Sequence, residues 1–290
     1  MIPRTLHFCF GLSPDFGGKP WGLVHHACLR RAVAVLRPER VLFHHEHEPR
    51  GPWWDLSRPL VTPVRLRAPT EVFGNRLHRV EHQADVVRLR ALVEHGGIYL
   101  DADVFVHRDF DDLLGHAAVL AFMGEGDRTI GLGNAVILAE PGAAFLRRWL
   151  ADYRSFASRG YDAAYIDHSI KRPLGLWQAH RQEARVLDAR AFYHPWCDQA
   201  GLRRIFDPGE DCDAGESYAT HLWESLAWRS YLQDLTPGRV RAHDSAFHRW
   251  VRPLVAGLPD DFGKPGAVAR GLRQVNRVVR RVRRMIRGTV

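Results

Sequence analysis

The sequence predicts an α/β protein with a mostly parallel sheet flanked by helices. The 290 residues are 46% hydrophobic and 26% charged, which is ordinary for a soluble globular protein and sufficient for one large core or two small ones. The chain begins with a strand–helix–strand pattern, and a later helix ends at a diglycine that an apolar strand follows at once. Strands and helices that alternate in this way favour a parallel sheet.

The first elements are defined by apolar runs and by the residues that interrupt them. Residues 4–10 form a predicted strand that ends at Gly11, where a segment rich in proline and glycine begins. Residues 23–36 have apolar positions at helical spacing, and residues 41–43 form a short second strand. Two strands joined through a helix are the basic unit of a parallel sheet.

The middle of the chain has the clearest helical pattern. After an irregular, proline-rich stretch over 50–74, apolar residues recur at spacings of three and four from about Arg76 onwards. These positions are Leu77, Val80, Ala84, Val87 and Ala91. Gly96-Gly97 ends the predicted helix, and residues 98–106 then form one buried strand.

Shorter elements follow. We expect strands at 119–122, 135–138, 186–187, 192–193 and 217–221, and helices at 109–114 and 141–153. The pattern over 160–215 is otherwise mixed.

The positive charge of the chain lies at its C-terminal end. The formal net charge is +8, but residues 262–290 contain eight arginines, Lys264 and no acidic residue. The rest of the chain has 32 basic and 33 acidic residues, a net charge of −1. A nucleic-acid-binding domain would have its basic residues on the folded surface, so we expect no nucleic-acid partner.

The same segment has apolar residues every three or four positions, which is typical of a basic amphipathic helix. We therefore divide the chain into an α/β domain over 1–255 and a basic helix over 256–290. Two interpretations of the helix stay open. Its apolar stripe docks on an anionic membrane surface, with the arginines at the headgroups, or it packs on its own domain.

Three further features bear on the compartment. There is no apolar run long enough for a membrane-spanning helix, and the N-terminus lacks the pattern of a signal peptide. We therefore expect a cytoplasmic protein, peripheral at the inner face of the membrane if the basic helix binds lipid. The four cysteines form no CxxC pair and are expected to be free thiols, with a bridge between Cys197 and Cys212 as the alternative.

A pair of carboxylates stands out in the strand predicted over 98–106. Asp101 and Asp103 are two residues apart, so on a strand both would project from the same face. Two such groups repel each other unless they reach solvent, share a proton or bind a cation, and carboxylate oxygens suit Mg²⁺ or Mn²⁺. Asp-x-Asp alone is a weak signal: Asp211 and Asp213 form a second pair, in a loop where simple solvation is the better explanation.

The residues around Asp101 and Asp103 strengthen the case that this pair binds a metal. The run from Ala84 to Leu92, and then Gly96-Gly97-Ile98-Tyr99-Leu100-Asp101-Ala102-Asp103-Val104, resembles the signature of glycosyltransferases whose sugar-binding region contains a DXD motif. These are the family 32-like enzymes of GT-A fold, including initiating mannosyltransferases and α-1,4-galactosyltransferases. The resemblance implies a GT-A domain over 1–255 and a divalent metal, Mn²⁺ or Mg²⁺, held by Asp101 and Asp103.

The resemblance also implies roles for two residues of the predicted helix. Asp85 and Arg88 would hydrogen-bond the hydroxyls of the donor sugar, since a guanidinium and a carboxylate suit a vicinal diol. The alternative, from spacing alone, is an ion pair between residues three apart on one helix.

Other matched segments imply contacts with the nucleotide sugar. The segment Ile2–Gly11 resembles the family's opening strand, where Phe10 would stack on the nucleobase and His7 and Gly11 would lie beside the donor. Gly97, Tyr99 and Asn134 fall in the matched segments around the carboxylate pair and are further candidate donor contacts.

The segment Tyr218–Trp223 resembles the late His-x-Trp segment of the family, and the matches together span roughly residues 2–228. His221 would be the third metal ligand, or else a core or surface histidine. Trp223 would donate its indole N–H to a phosphate, or else pack. A Gly-Pro motif of the relatives is not evident near Lys171, which leaves the acceptor side undefined.

Several residues compete for these roles. His243 and His248 are rivals of His221. The run His44-His45-Glu46-His47 lacks a partner at zinc spacing and is expected to be a solvated loop. Trp53-Trp54 is either an acceptor platform or, as we favour, a packing element.

The sequence therefore predicts an enzyme that moves a hexosyl group from a UDP- or GDP-sugar to a hydroxyl of a glycan or lipid-linked acceptor, with retention implied by the resemblance. Two alternatives stay open: an effector-like glycosyltransferase that modifies proteins, and a catalytically weak scaffold that binds nucleotide sugars at a membrane.

Overall fold

The computed structural model describes residues 1–124 and 126–264 of the chain. The strands are β1 Thr5–Cys9, β2 Arg40–His45, β3 Thr62–Arg65, β4 Glu71–Val72, β5 Asn75–Arg76, β6 Gly97–Leu100, β7 Val104–Val106, β8 Ala118–Met123, β9 Gly131–Leu132, β10 Val136–Ala139, β11 Arg185–Leu187 and β12 Ala219–His221. The helices are α1 Leu23–Leu36, α2 Pro52–Ser57, α3 Val80–His95, α4 Ala144–Asp152, α5 Arg172–Ala179, α6 Gln199–Phe206, α7 Glu224–Ala227, α8 Pro237–Ala242 and α9 Ala246–Val251.

One mixed sheet organises the fold. Its strand order is β11-β8-β10-β6-β1-β2-β3, and β9 pairs with β8. The strands β6, β1, β2 and β3 are mutually parallel, and β11 is parallel to β8, whereas β10 runs antiparallel to both of its neighbours. This mostly parallel mixed sheet, flanked by helices, confirms the fold class predicted from the sequence.

The alternation of side chains along the strands divides the core into two layers. In β6, Ile98 and Leu100 pack in one apolar cluster with residues of α1, whereas Tyr99 packs in a second cluster with residues of α3 and α4. Both layers are closed to solvent at β6, since these three side chains are at most 3% exposed. The sheet therefore holds the ends of its central strands in fixed positions.

Gly96 and Gly97 are required where α3 turns into β6. Gly96 ends the helix with φ +61°, and Gly97 has φ +111°, conformations that favour glycine. A Cβ on Gly97 would lie 2.3 Å from the Thr5 carbonyl oxygen, so only glycine lets β6 lie this close to β1. The predicted break at the diglycine is confirmed.

Some predicted boundaries are wrong. The stretch 50–74 contains α2, β3 and half of the hairpin formed by β4 and β5, and α3 begins at Val80 instead of near Arg76. Phe192 and Tyr193 follow a 3₁₀ turn and form no strand. These short elements depend on pairing with distant strands, which local apolar patterns do not reveal.

The predicted basic helix falls mostly on residues 265–290, which lie outside the described residues, so the division at residue 255 stays a prediction. Residues 256–264 form turns that follow the domain, where Phe262 packs edge-on against Trp53 at 4.8 Å. Over the described ranges, no helix has both the length and the hydropathy that a membrane crossing requires.

Candidate functional site

The central strands bring three chain segments together at one edge of the sheet. Because β1 and β6 are parallel, their carboxyl ends meet at the same edge, and the register places Cys9, the last residue of β1, level with Asp101. The antiparallel β10 begins at this edge, since Val136 pairs with Leu100. The Asp101 N–H donates to the Ala135 carbonyl oxygen at 2.8 Å.

The carboxylate pair lies in a turn at this edge, and its prediction as part of one strand over 98–106 is wrong. The chain leaves the main sheet after Leu100, turns, and continues as β7, which pairs with β12. The Val104 N–H donates to the Asp101 carbonyl oxygen at 3.0 Å and closes the turn. Both carboxylates are therefore displayed at the end of a strand, where ligand sites of open α/β sheets occur.

The pairing of β7 with β12 adds a histidine to the carboxylates. His221 is the register partner of Val104, and its Nε2 lies 3.2 Å from Asp103 Oδ2. Ligand atoms of Asp101, Asp103 and His221 all lie within 4.8 Å of one another. The structure thus brings together the three residues predicted to hold the metal.

The donor set fits a divalent cation. Two carboxylates and one imidazole suit Mn²⁺ well, and carboxylates alone suit Mg²⁺. The side chains of Asp101, Asp103 and His221 are 25%, 12% and 15% exposed, so an ion could reach them from solvent. The Nδ1 atom of His221 is buried and has no hydrogen-bond partner in the described structure, which is unusual for a polar atom away from a site.

Charges within this group stabilise one another. Burial alone would raise the pKa of Asp103, but the charge and hydrogen bond of His221, together with the Glu224 N–H at 2.7 Å, hold this pKa well below its usual range. Burial opposes the ionisation of His221, but Asp103 outweighs it and raises the pKa of the imidazole. Without a metal, the two side chains therefore form an ion pair.

Arg88 links these groups to α3. Its guanidinium lies 3.3 Å from Asp85 Oδ1 and 3.3 Å from Asp101 Oδ1, and it donates to the Asn134 carbonyl oxygen at 2.6 Å. The Asn134 amide donates in turn to Asp85 at 2.8 Å, and the Tyr99 hydroxyl donates to Asp101 at 2.8 Å. We call Asp85, Arg88, Asp101, Asp103 and His221 the edge cluster.

Burial shapes the charge states on the α3 side of the edge cluster. It raises the pKa of Asp85 to about 6, and Arg88 opposes this shift. Burial also disfavours the guanidinium, but Asp101 and then Asp85 outweigh it, so the pKa of Arg88 is raised and this side chain stays ionised. The ion pair between Asp85 and Arg88 that the spacing predicted is present. Arg88 also contacts Asp101 in the turn between β6 and β7, which we call the metal turn.

Comparison with known proteins agrees with this geometry. Residues 60–120 match the model of the glycosyltransferase sugar-binding region containing a DXD motif. The chain is 36% identical over 274 residues to Glucan organizing enzyme 1 of Cryptococcus neoformans, covering 91% of this chain and 74% of that protein. It is 30% identical over 165 residues to Inositol phosphoceramide mannosyltransferase 3 of Schizosaccharomyces pombe, covering 52% of this chain and 44% of that protein.

This chain belongs to the DXD-containing glycosyltransferase family. Similar solved structures include mouse xyloside xylosyltransferase 1, with 12% identity over 76% of this chain and 98% of that chain at a TM-score of 0.45. The PaToxG glycosyltransferase covers 62% of this chain and 70% of that chain, with 12% identity and a TM-score of 0.43. Similarity at this level adds nothing to the sheet topology described above.

Several predicted donor contacts of this glycosyltransferase lie inside the protein. His7 is fully buried; its Nδ1 bonds His44 Nε2 at 3.0 Å and its Nε2 bonds the Gly96 carbonyl oxygen at 2.8 Å. The structure therefore places His7 in the core, away from any surface that a donor could reach. Gly11 has φ +76°, and a Cβ there would lie 2.2 Å from the His47 carbonyl oxygen, so close packing accounts for this glycine.

The two aromatic candidates, Trp223 and Phe10, differ in their exposure. The Trp223 indole N–H donates to the Pro195 carbonyl oxygen at 3.1 Å and the ring is 5% exposed, which is the packing alternative of the prediction. Phe10 is half-buried just after β1, where it stacks on Phe16 at 5.7 Å and meets the edge of Trp21 at 5.2 Å. Phe10 is thus part of a group of aromatic side chains at the carboxyl end of β1.

The structure places the histidine run at the end of β2 and the Trp53-Trp54 pair largely in the core. His44 and His45 belong to β2 and are buried, so their prediction as a solvated loop is wrong, because β2 is paired on both sides with β1 and β3. Trp53 and Trp54 are each 4% exposed, which confirms packing and rules out an exposed platform.

The rivals of His221 do not join the metal ligands. His243 stacks on His248 at 5.2 Å, and His248 bonds the hydroxyl of Ser245 at 2.7 Å. Within the described residues, neither belongs to a group that could hold a metal ion. All four cysteines are free thiols, as predicted.

Sequence reasoning missed Glu224. Its N–H orients Asp103, and its carboxylate accepts hydrogen bonds from His25 at 2.7 Å and Lys19 at 3.0 Å. Glu224 therefore ties the metal turn to the loop that follows β1 and to α1. The available signal was its position three residues after His221, at the start of α7.

Proposed function

We propose that this glycosyltransferase is a metal-dependent enzyme that transfers a hexosyl group from a UDP- or GDP-sugar to a hydroxyl of a glycan or lipid-linked acceptor, with retention of configuration. One observation supports this most directly: carboxylate and imidazole ligand atoms of Asp101, Asp103 and His221 converge within 4.8 Å at the carboxyl edge of the sheet. A Mn²⁺ or Mg²⁺ ion held there supplies a Lewis acid for the negative charge that grows on the departing diphosphate.

The residues of the chain would then act in three ways. Arg88 holds Asp101 on one side, and Glu224 orients Asp103 on the other, so the ligands are fixed before an ion binds. Asp85 and Arg88 would hydrogen-bond the hydroxyls of the donor sugar, since a carboxylate and a guanidinium at one place suit a diol. Phe10 would stack on the nucleobase.

The relatives narrow the choice of substrates. One is named as a mannosyltransferase that acts on inositol phosphoceramide, and the other as an enzyme that organises glucan. We therefore place GDP-mannose and UDP-glucose first among the donors, and a lipid-linked polar group or a glucan first among the acceptors.

A thermal-shift panel of nucleotide sugars with and without Mn²⁺ tests the proposal. A donor that binds the native state at 100 times its Kd should raise the melting temperature by roughly 5 °C, and only when metal is present. In the Asp101→Asn/Asp103→Asn variant this shift should disappear, and turnover of the donor should fall at least about 100-fold.

The second Asp-x-Asp pair provides a matched control. Asp211 and Asp213 lie exposed in a loop, so Asp211→Asn/Asp213→Asn should keep both the shift and the turnover. If the edge variant still turned over a nucleotide sugar at the parental rate, the proposal would fail. A metal-dependent shift without turnover on lipid, glycan or protein acceptors would instead support a binding scaffold, and a protein product would support an effector-like enzyme.

We also propose that the protein works in the cytoplasm, at the inner face of the membrane. The support is the sequence of residues 262–290, which has eight arginines, a lysine and no acidic residue around its apolar positions. Salt-sensitive binding to anionic vesicles should disappear when residues 266–290 are deleted. Equal binding by the shortened chain would exclude this role for the segment.

A further inference from the structure

One exposed aromatic ring lies on the α3 side of the site without an assigned role. Within the described residues, Tyr161 and Phe73 are the aromatic side chains among the exposed large apolar residues, at 70% and 46% exposure. An arginine covers one face of each: Arg79 lies 3.9 Å from the centre of the Tyr161 ring, and Arg154 lies 4.2 Å from that of Phe73.

Tyr161 is held in place despite its exposure. Its hydroxyl donates to Glu81 at 3.0 Å and accepts a hydrogen bond from Arg79, and Tyr165 packs against the ring at 4.9 Å. An exposed side chain would otherwise keep its rotamer freedom, which costs free energy to remove on binding. Here hydrogen bonds already hold the ring, while 70% of the side chain stays exposed to solvent.

The surroundings of the ring suit a saccharide. Glu81 is 41% exposed, so its carboxylate can accept further hydrogen bonds from hydroxyl groups beside the ring. An apolar platform with a few fixed polar groups is the usual composition of a small-molecule site. A hexose has both complementary features, since its ring has an apolar C–H face and a rim of hydroxyls.

The helix places this ring on the same side as the edge cluster. Glu81, Asp85 and Arg88 are at positions i, i+4 and i+7 of α3 and therefore share one face. Glu81 and Asp85 are separated by about 6 Å along the helix axis, four residues at 1.5 Å each. This helix face therefore connects Glu81, which contacts Tyr161, through Asp85 to Arg88, which contacts Asp101 in the metal turn.

We propose that Tyr161, backed by Arg79 and flanked by Glu81, is the platform on which the acceptor saccharide stacks. A hexose ring of the acceptor lies on the exposed part of the Tyr161 ring, and Glu81 accepts a hydrogen bond from one of its hydroxyls. This assignment rests on the proposed function, because it supplies the acceptor side of the same site.

Titration of the full chain with α-mannotriose and with laminaritriose, followed by NMR, tests the platform. At least one of the two trisaccharides should bind, and Tyr161→Ala should weaken this binding roughly tenfold. Tyr161→Phe keeps the ring and should stay within about threefold of the parent. Phe73→Ala, the matched loss of an exposed ring backed by arginine, should leave binding unchanged.

Three results would overturn the assignment: no binding of either trisaccharide, equal binding by Tyr161→Ala and the parent, or an equal loss in Phe73→Ala. The metal-dependent shift with nucleotide sugars should be the same in Tyr161→Ala and the parent. If the shift is present and the trisaccharide effect is absent, the platform alone is wrong. If the shift is absent while Tyr161 still governs saccharide binding, the transferase proposal is wrong and the saccharide site stands.

Discussion

Two groups of polar side chains, one inside the main sheet and one at its carboxyl edge, differ in charge. The edge cluster contains ionised carboxylates, an ionised guanidinium, and a histidine whose Nδ1 has no partner in the described structure. The second group, which we call the histidine pair, consists of His7 and His44, inside β1 and β2, and both residues are at most 5% exposed.

Burial favours the neutral form of both members of the histidine pair, and their hydrogen bonds are compatible with it. The Gly96 carbonyl can only accept, so in neutral His7 the proton is on Nε2, and Nδ1 accepts from His44 Nε2. A proton on His7 Nδ1 would then face the N–H of His44. Burial lowers the pKa of His7 to about 4 and that of His44 to about 3, in agreement with this assignment.

The contrast separates structural from functional polarity. The histidine pair is neutral and its hydrogen bonds close within the protein, as expected of a group that only stabilises the fold. The edge cluster keeps charges that burial makes expensive, as expected of a group that binds a ligand. The variants described next test this difference between the two groups.

Removal of Arg88 should have the largest effect. Arg88→Met leaves Asp85 and Asp101 without their shared cation, and breaking a buried pair in this way costs about 3–5 kcal/mol of unfolding free energy. Urea unfolding at neutral pH measures the loss. Arg88→Lys should recover only part of it, because a compact ammonium cannot contact both carboxylates. A loss below about 1 kcal/mol would mean that the edge cluster is solvated and resembles a surface network.

His221→Gln should separate binding from stability. We expect Mn²⁺ affinity, measured by calorimetry, to fall about 10–100-fold, whereas the unfolding free energy should fall by only about 1 kcal/mol, because the glutamine amide can still donate a hydrogen bond to Asp103 although the ionic part of the contact is lost. The matched variant His44→Gln should show the reverse, with Mn²⁺ affinity unchanged and stability lowered by about 1–3 kcal/mol. If both variants lost metal affinity equally, the two groups would not be distinct.

Local patterns in the sequence were enough to predict the main elements. Apolar spacing located α1 and most of α3, and the diglycine marked the turn into β6, because these features depend on residues close in sequence. The same run contained Asp85, Arg88, Asp101 and Asp103, so most of the edge cluster could be predicted from one segment.

The errors concern contacts between distant residues. The apolar run 98–106 looks continuous, and only the pairing of β7 with β12, more than a hundred residues later, divides it at the carboxylates. His44 and His45 look solvated until β2 is placed between β1 and β3. The only local signal for Glu224 is its position three residues after His221, because its contacts are with Asp103, His25 and Lys19, which are distant in sequence.

Acid should destabilise the fold through its buried histidines, which include the histidine pair and His26, His107 and His248, all with lowered pKa values. Both pKa values are lowered in the folded state, to about 4 for His7 and about 3 for His44, so below pH 6.5 the unfolded chain binds protons that the folded chain does not. The unfolding free energy should therefore fall as the pH drops from about 7 to 5, by roughly 2 kcal/mol for each of these histidines. Urea unfolding across this range measures the slope.

Two variants test the origin of that slope. His44→Gln should reduce the slope by the share of the histidine pair, whereas His78→Gln, which removes an exposed histidine, should keep the parental slope. The other buried histidines keep the rest of the slope in both variants. His221 acts in the opposite direction, because its raised pKa means that the folded chain binds its proton more tightly. An unchanged slope in His44→Gln would mean that the histidine pair does not contribute to the acid sensitivity.

The smallest expected effect concerns Trp223, which has features of both groups. Its ring is 4.3 Å from that of His221, yet its indole N–H is used by the Pro195 carbonyl oxygen. If packing is its role, Trp223→Phe should lose about 1 kcal/mol of stability and leave the KM for the nucleotide sugar within about twofold of the parent.

A phosphate contact would give the opposite pattern. In that case KM would rise roughly tenfold with little change in stability, because the indole N–H would exchange its Pro195 bond for a phosphate oxygen on binding. Trp196→Phe, whose ring meets Trp223 at 5.5 Å, provides the control for general loosening of this aromatic group. A rise in KM in Trp223→Phe and not in Trp196→Phe would assign Trp223 to the edge cluster, and an unchanged KM in both would assign it to the core.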